Sequence, residues 1–281
     1  MDIGFMQGRL VDRVDGKIQA FPWQQWRLEF PRARAIGLEL MEWTLDDERI
    51  DDNPFMTSAG RAEIRSLGAE HGVRVASLTG DCFMQAPFWK AQGREQALLL
   101  DKFDRIVESA SQLAVGLIVV PLVDNGRLDT EQQRDVVLRE LLARVDALRD
   151  ARERIVFETE FAPADYSAFL QHLPAELFGV NYDIGNSASL GFVPREEFAA
   201  YGQRILNVHV KDRLLGGTTV PLGTGNADLP AAFAGLAALG YRGHYILQTA
   251  RAADDDHAGA LARYAQMTRD FIARAHGSGT R

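Results

Sequence analysis

Asn181-Tyr182-Asp183-Ile184-Gly185-Asn186 closes a short apolar run (Phe178, Val180) with a carboxylate, a glycine and an amide. A strand that ends this way offers a ligand at its tip. Upstream, Ile155-Val156-Phe157 runs into Glu158; downstream, Ile205-Leu206-Asn207-Val208 runs into His209, and Tyr245-Ile246-Leu247 into Gln248. These four ends lie about 25 to 40 residues apart, the length of one βα unit in an eightfold barrel of roughly 250 residues. Strand ends of such a barrel meet at one face, so the spacing predicts that Glu158, Asp183, His209 and Gln248 converge.

Working outward, the first half of the chain carries the same alternation. Ile3-Gly4-Phe5-Met6 reads as strand 1, closed by Gln7-Gly8-Arg9; Arg9 either faces a ligand or lies on an exposed loop. A helix from Glu29 to Ile36 stops at Gly37, and Leu38 to Trp43 follows as strand 2. Glu39 and Glu42 have opposite parity there, and Glu42, nearer the strand's C-terminal end, is the one that reaches the site or else pairs with an arginine. Thr57 to His71 is a helix capped by Thr57 or Ser58 and closed by Gly72. Val73 to Leu78 is strand 3, leading into a Thr79-to-Phe83 loop; Phe88 and Trp89 beyond it either wall a sugar ring or pack on the rim. Glu95 to Leu113 is helical, Gly116 to Pro121 is the most continuous apolar run, and Asp129 to Arg154 reads as one long helix.

In the second half, short helices are expected around Asp165 to Leu173, Pro194 to Tyr201 and, capped by Asp228, Leu229 to Leu239; His257 to Ala275 closes the chain. Repeated βα alternation predicts a parallel sheet with right-handed crossovers. The fold class is therefore α/β, a single (β/α)8 TIM barrel over residues 1–276, with 277–281 as a disordered tail.

Composition sets bounds on partners. The 281 residues are 46% hydrophobic with a formal net charge of −8, which argues against nucleic acid, and no apolar run is long enough for a bilayer. The one cysteine, Cys82, excludes an internal disulfide framework; with no signal-peptide pattern at Met1-Asp2-Ile3-Gly4, a cytoplasmic location is expected.

Two carboxylates, an imidazole and an amide oxygen form a mixed O/N set suited to Mn²⁺, Mg²⁺, Co²⁺ or Zn²⁺, with no thiolate to favour a soft metal. Taken singly, His209 is equally a hydrogen-bonded strand residue and Asp183 a turn former; four such ends at unit spacing point to a site. Arg9, Glu42, Asn186, Lys211, Arg213 and Arg251 are the candidate substrate contacts. Lys211 and Arg213 are placed to neutralise a phosphate, aided by backbone N–H groups of Gly223 and Gly225, or Lys211 pairs with Asp212 and the glycines only turn the chain.

Gly4-Phe5-Met6-Gln7-Gly8-Arg9, Glu158 after its strand, Asp183-Ile184-Gly185-Asn186, His209-Val210-Lys211-Asp212 and Leu222-Gly223-Thr224-Gly225 together resemble the xylose isomerase-like barrels. That superfamily includes sugar and sugar-phosphate isomerases and epimerases, inosose dehydratases and metal-dependent endonucleases that cut at abasic sites. In its epimerases a divalent metal is held by Glu, Asp, His and a second Glu, so the resemblance implies Glu158, Asp183, His209 and position 248 as ligands. Here position 248 is glutamine, which still offers an oxygen but neither takes nor returns a proton.

The implied chemistry is enolisation of a small sugar or sugar phosphate with Glu158 as base. Replacing the second acid shifts the expectation from a two-base epimerase toward an isomerase, a dehydratase-like lyase or a non-catalytic sugar-binding barrel. Glu42, Glu160 and Asp212 are candidate substitute acids, with Glu160 an alternative ligand should strand 5 run longer. An abasic-site endonuclease needs extra strand-end histidines on strands 2 to 4, which are missing here. The resemblance also implies a homodimer.

Overall fold

The computed structural model describes residues 2–277. Its eight strands are β1 (Ile3–Met6), β2 (Leu40–Thr44), β3 (Arg74–Thr79), β4 (Leu117–Leu122), β5 (Arg154–Thr159), β6 (Phe178–Asp183), β7 (Ile205–Val210) and β8 (His244–Leu247). They close into one parallel barrel in sequence order, with β8 pairing back to β1. Outside and above lie α1 (Glu29–Ala35), α2 (Ser58–His71), α3 (Asp81–Gln85), α4 (Gly93–Leu113), α5 (Glu131–Leu142), α6 (Val145–Ala151), α7 (Pro163–Leu170), α8 (Ile184–Leu190), α9 (Pro194–Tyr201), α10 (Leu229–Ala238) and α11 (His257–Gly277). This is the (β/α)8 barrel that the strand-end spacing predicts. The expected tail lies, from 278 on, outside the described residues; Gly277 is the last residue of α11.

Local chemistry sets most of the boundaries. Thr57 caps α2 by accepting the Gly60 N–H at 3.1 Å, and Gly72 ends it with φ +66°, a conformation open to glycine. β4 is buried along its whole length, as a parallel strand covered on both faces must be, and Pro121 is its penultimate residue.

Three expectations change. The helix read over 129–154 is two, α5 and α6, and Arg144 at the break bonds Asp104 of α4 (2.6 Å) and the Glu140 carbonyl (3.0 Å). The Thr79-to-Phe83 loop contains the start of α3, and an unforeseen helix, α8, follows Asp183 directly.

The main core is the apolar shell between barrel and helices; Leu117, Val119 and Val156 form a small separate cluster. These three share strand parity with the inward-facing ends, so they floor the barrel below its polar upper layers. Phe88 and Trp89 are buried and packed on each other, with Phe88 also against Phe103 and Trp89 donating to the Gly126 carbonyl, so they belong to the rim rather than to an open wall.

Candidate active site

Parallel pairing sets Asp183 beside His209 across β6 and β7, while Glu158 comes from the end of β5. One donor atom from each lies within 4.8 Å of the other two, and all three residues are buried. His209 Nδ1 is 3.4 Å from Glu158 Oε2 and 3.7 Å from Asp183 Oδ2, while Nε2 is 2.7 Å from Glu42 Oε1. One ring nitrogen thus faces the cluster and the other is anchored.

Gln248 joins this group indirectly. Its Oε1 accepts from Lys211 Nζ at 3.1 Å, and the same ammonium is 3.1 Å from Asp183 Oδ2. The motif glycine Gly185 makes room for that lysine: a Cβ there would lie 2.6 Å from Lys211 Cγ. Asp183 also caps α8 by accepting the Asn186 N–H at 2.8 Å, so its turn-forming and site-facing readings hold together.

The charges support one another. Burial alone would push the Asp183 carboxyl up, but Lys211 and His209 outweigh it and hold it down at about 2. Burial likewise opposes charge on His209, yet Glu42 first, with Asp183 and Glu158, raises its pKa well above the usual range. Glu42, wholly buried, is held below its ordinary value against its own burial by His209 and the hydroxyls of Ser77 and Thr79. Two carboxylates and an imidazole, all O or N donors with no thiolate, fit a divalent cation; Glu158, Asp183 and His209 are the residues that would hold it.

Beneath lies a connected polar layer. Glu42 accepts from Ser77 Oγ (2.6 Å), Thr79 Oγ1 (2.7 Å) and Asn207 Nδ2 (2.9 Å) as well as facing His209. Asn207 also donates to Asn181 Oδ1 at 2.9 Å, and Asn181 donates to Glu158 Oε2 at 3.0 Å. The pairing register slips just before Glu42 on β2 and just before Asn181 on β6. Such irregularities re-aim the side chains that follow. Asn181 and Asn207 had a readable signal: each stands two residues before a site residue, hence on the same strand face.

A cavity of about 350 Å³ opens above the cluster, lined by Glu158, Asn186, Lys211, Arg213 and Gln248 among others. Asn186 Nδ2 holds Glu158 Oε1 and its Oδ1 accepts from Arg213 at 2.8 Å. The remaining candidates do not line it. Arg9 is buried with its guanidinium on the carbonyls of Thr249 and Ile18 and on Gln19, and Arg251 grips the carbonyls of Val11 and Ile18. Both pin the segment that covers the cavity. Glu42 lies under His209 instead of facing an arginine.

Asp212 is not paired with Lys211. Its carboxylate accepts the N–H groups of Gly223 and Gly225 (2.9 Å each) and Ala227 (3.0 Å), so the N–H groups expected to greet a phosphate are already bonded. A Cβ at Gly225 would lie 2.2 Å from Asp212 Oδ1, which is why glycine stands there. Glu160 lines the cavity with one carboxylate oxygen 3.4 Å from Arg127, and lies outside the cluster. Of the three candidate substitute acids, Glu160 shares the cavity lining with Gln248, while Glu42 and Asp212 are bonded outside it.

Among known proteins, the chain is 23% identical over 259 residues to the L-ribulose-5-phosphate 3-epimerase UlaE of Escherichia coli, covering 89% of this chain and 91% of that one. An L-ribulose 3-epimerase structure superposes with a TM-score of 0.75 at 14% identity, over 99% of this chain and 97% of that one. The zinc-containing IOLI protein gives 0.74 at 16% identity, over 98% and 99%. A profile of the xylose isomerase-like TIM barrels matches residues 30–270, most of the chain, and this protein belongs to that family.

Proposed function

We propose that this protein is a divalent-metal-dependent isomerase or epimerase of a small sugar or sugar phosphate, with Glu158 as the base. The observation that carries the reading is the buried convergence of Glu158, Asp183 and His209 under a cavity large enough for a small sugar, with Glu158 the one of the three that lines it. The epimerase named among its relatives acts on a ketose phosphate, a substrate class consistent with this cavity.

A divalent ion held by Glu158, Asp183 and His209 would supply Lewis acidity toward the sugar carbonyl. The chain's own groups do the rest. Glu158 takes the proton from the carbon next to the carbonyl, its carboxylate aimed by the amides of Asn181 and Asn186. Glu42 fixes the ring of His209, and Lys211 ties Asp183 to Gln248. The segment around Ile18 and Gln19, pinned by Arg9, limits water above. Gln248 favours a second reading, aldose–ketose isomerisation, in which the proton returns from the same face and one base suffices.

Incubating metal-loaded protein with ketoses and their phosphates in D₂O tests the proposal. Deuterium at the carbon next to the carbonyl is expected; its absence across the panel defeats it.

A further inference from the structure

Two donor-only cations give the amides above the cluster a direction. Lys211 must face an acceptor, so Gln248 presents Oε1 to it and turns its Nε2 to Gln19 Oε1 at 3.0 Å. Arg9 Nη2 donates to the same Gln19 oxygen at 3.2 Å. The Gln19 amide is thereby fixed, and its Nε2 donates to Asp81 Oδ2 at 2.7 Å. The relay ends on a carboxyl that lines the same cavity as Glu158, and whose Oδ1 makes no hydrogen bond among the described residues. A glutamate at 248 could not donate to Gln19, so the residue that departs from the family's acid is the one this relay requires.

From this arrangement, and resting on the function proposed above, we infer that Asp81 is the second acid–base residue, delivering to the bound carbon the proton that position 248 does not. Glu158 removes the proton on one side, and Asp81 gives its Oδ1 proton to the same carbon on the other, yielding the epimer, a protonated Glu158 and an ionised Asp81. Exchange with solvent restores both, and the roles swap in the reverse direction. The surrounding groups suit this role. Burial, then Asp46 from the loop after β2, raise the Asp81 pKa, with Glu158 of β5 adding to this. Gln19 and Arg9 work the other way and leave it at about 7, and Lys211 just after β7 lines the same cavity with Asp124, Glu160 and Arg213. A carboxyl poised near neutral pH serves as acid and as base.

Metal-loaded Asp81→Asn in D₂O is the test. It should still wash deuterium into the starting ketose through Glu158, while epimer formation falls about 100-fold or more. Epimer formation within threefold of the parent overturns the assignment. If the parent itself exchanges no deuterium, the function proposed above fails, and the assignment with it. Gln19→Leu, which removes the hydrogen bond without changing charge, should move the limb of the pH–rate profile near pH 7 upward; an unmoved limb overturns the role. On metal-free protein, the infrared band of protonated carboxyls titrating near pH 7 should lose one component in Asp81→Asn, and a spectrum that keeps it counts against Asp81.

Discussion

From β5 to β8 the site is built by the strand ends, Glu158 lining the cavity with Asp183 and His209 just under it, and by Gln248 after β8 with its lysine partner. From β1 to β4 the strand ends turn inward and downward: Glu42, Ser77 and Thr79 form the layer beneath His209. What that first half places in the cavity includes Thr79 of β3 and Pro121 of β4, but its polar relay comes from Gln19 in the loop after β1 and Asp81 at the start of α3. One half presents the cluster and the other braces it from below and covers it from above. A buried side chain of the layer beneath His209 therefore acts through another residue, and its loss should read out as affinity or stability before rate.

The sharpest contrast is expected at Glu158. Glu158→Gln should lower solvent-deuterium incorporation by about 10³-fold, measured by NMR, whereas a mild loss would mean the proton is taken elsewhere. Its counterpart below, Glu42→Gln, should weaken divalent-metal affinity about 10- to 100-fold, followed by chelator competition. Unchanged affinity would remove Glu42 from the support of His209. Asp212→Asn takes away one carboxylate oxygen from the N–H groups of Gly223, Gly225 and Ala227 and should lower stability by about 2 kcal/mol. A shifted denaturant midpoint with metal affinity intact would show that this loop is held independently of the cluster.

The last contrast divides the halves by pH. Burial raises the Glu29 carboxyl from 4.5 to about 7, although the Gly8 and Leu10 N–H groups oppose this. The folded state keeps a proton that the unfolded chain releases, so this contribution is present below about 4.5 and lost as pH rises through about 7. Asp183 runs the other way: held at about 2 against an ordinary 3.8, its contribution is present above 3.8 and lost as pH falls through about 2. Glu29→Gln should make the stability–pH curve less steep between 4.5 and 7 and leave the acid limb in place; a parallel displacement of the whole curve would contradict the separation.

By itself the sequence determined the barrel and the three residues that converge, because both follow from local periodicities. A strand's parity puts every second side chain inside, a βα unit has a characteristic length, and parallel closure brings all the strand ends to one face. Those rules need no knowledge of which loop lies over which strand. The bracing by Glu42, the use of Asp212 and the relay from Gln248 through Gln19 to Asp81 were settled only by tertiary structure. Gln19 meets partners 62 and 229 residues away, and Asp212 turns to its own loop instead of to the adjacent lysine. Such choices depend on how covering segments settle onto a closed barrel and which buried donors they must satisfy, and neither has a period along the chain.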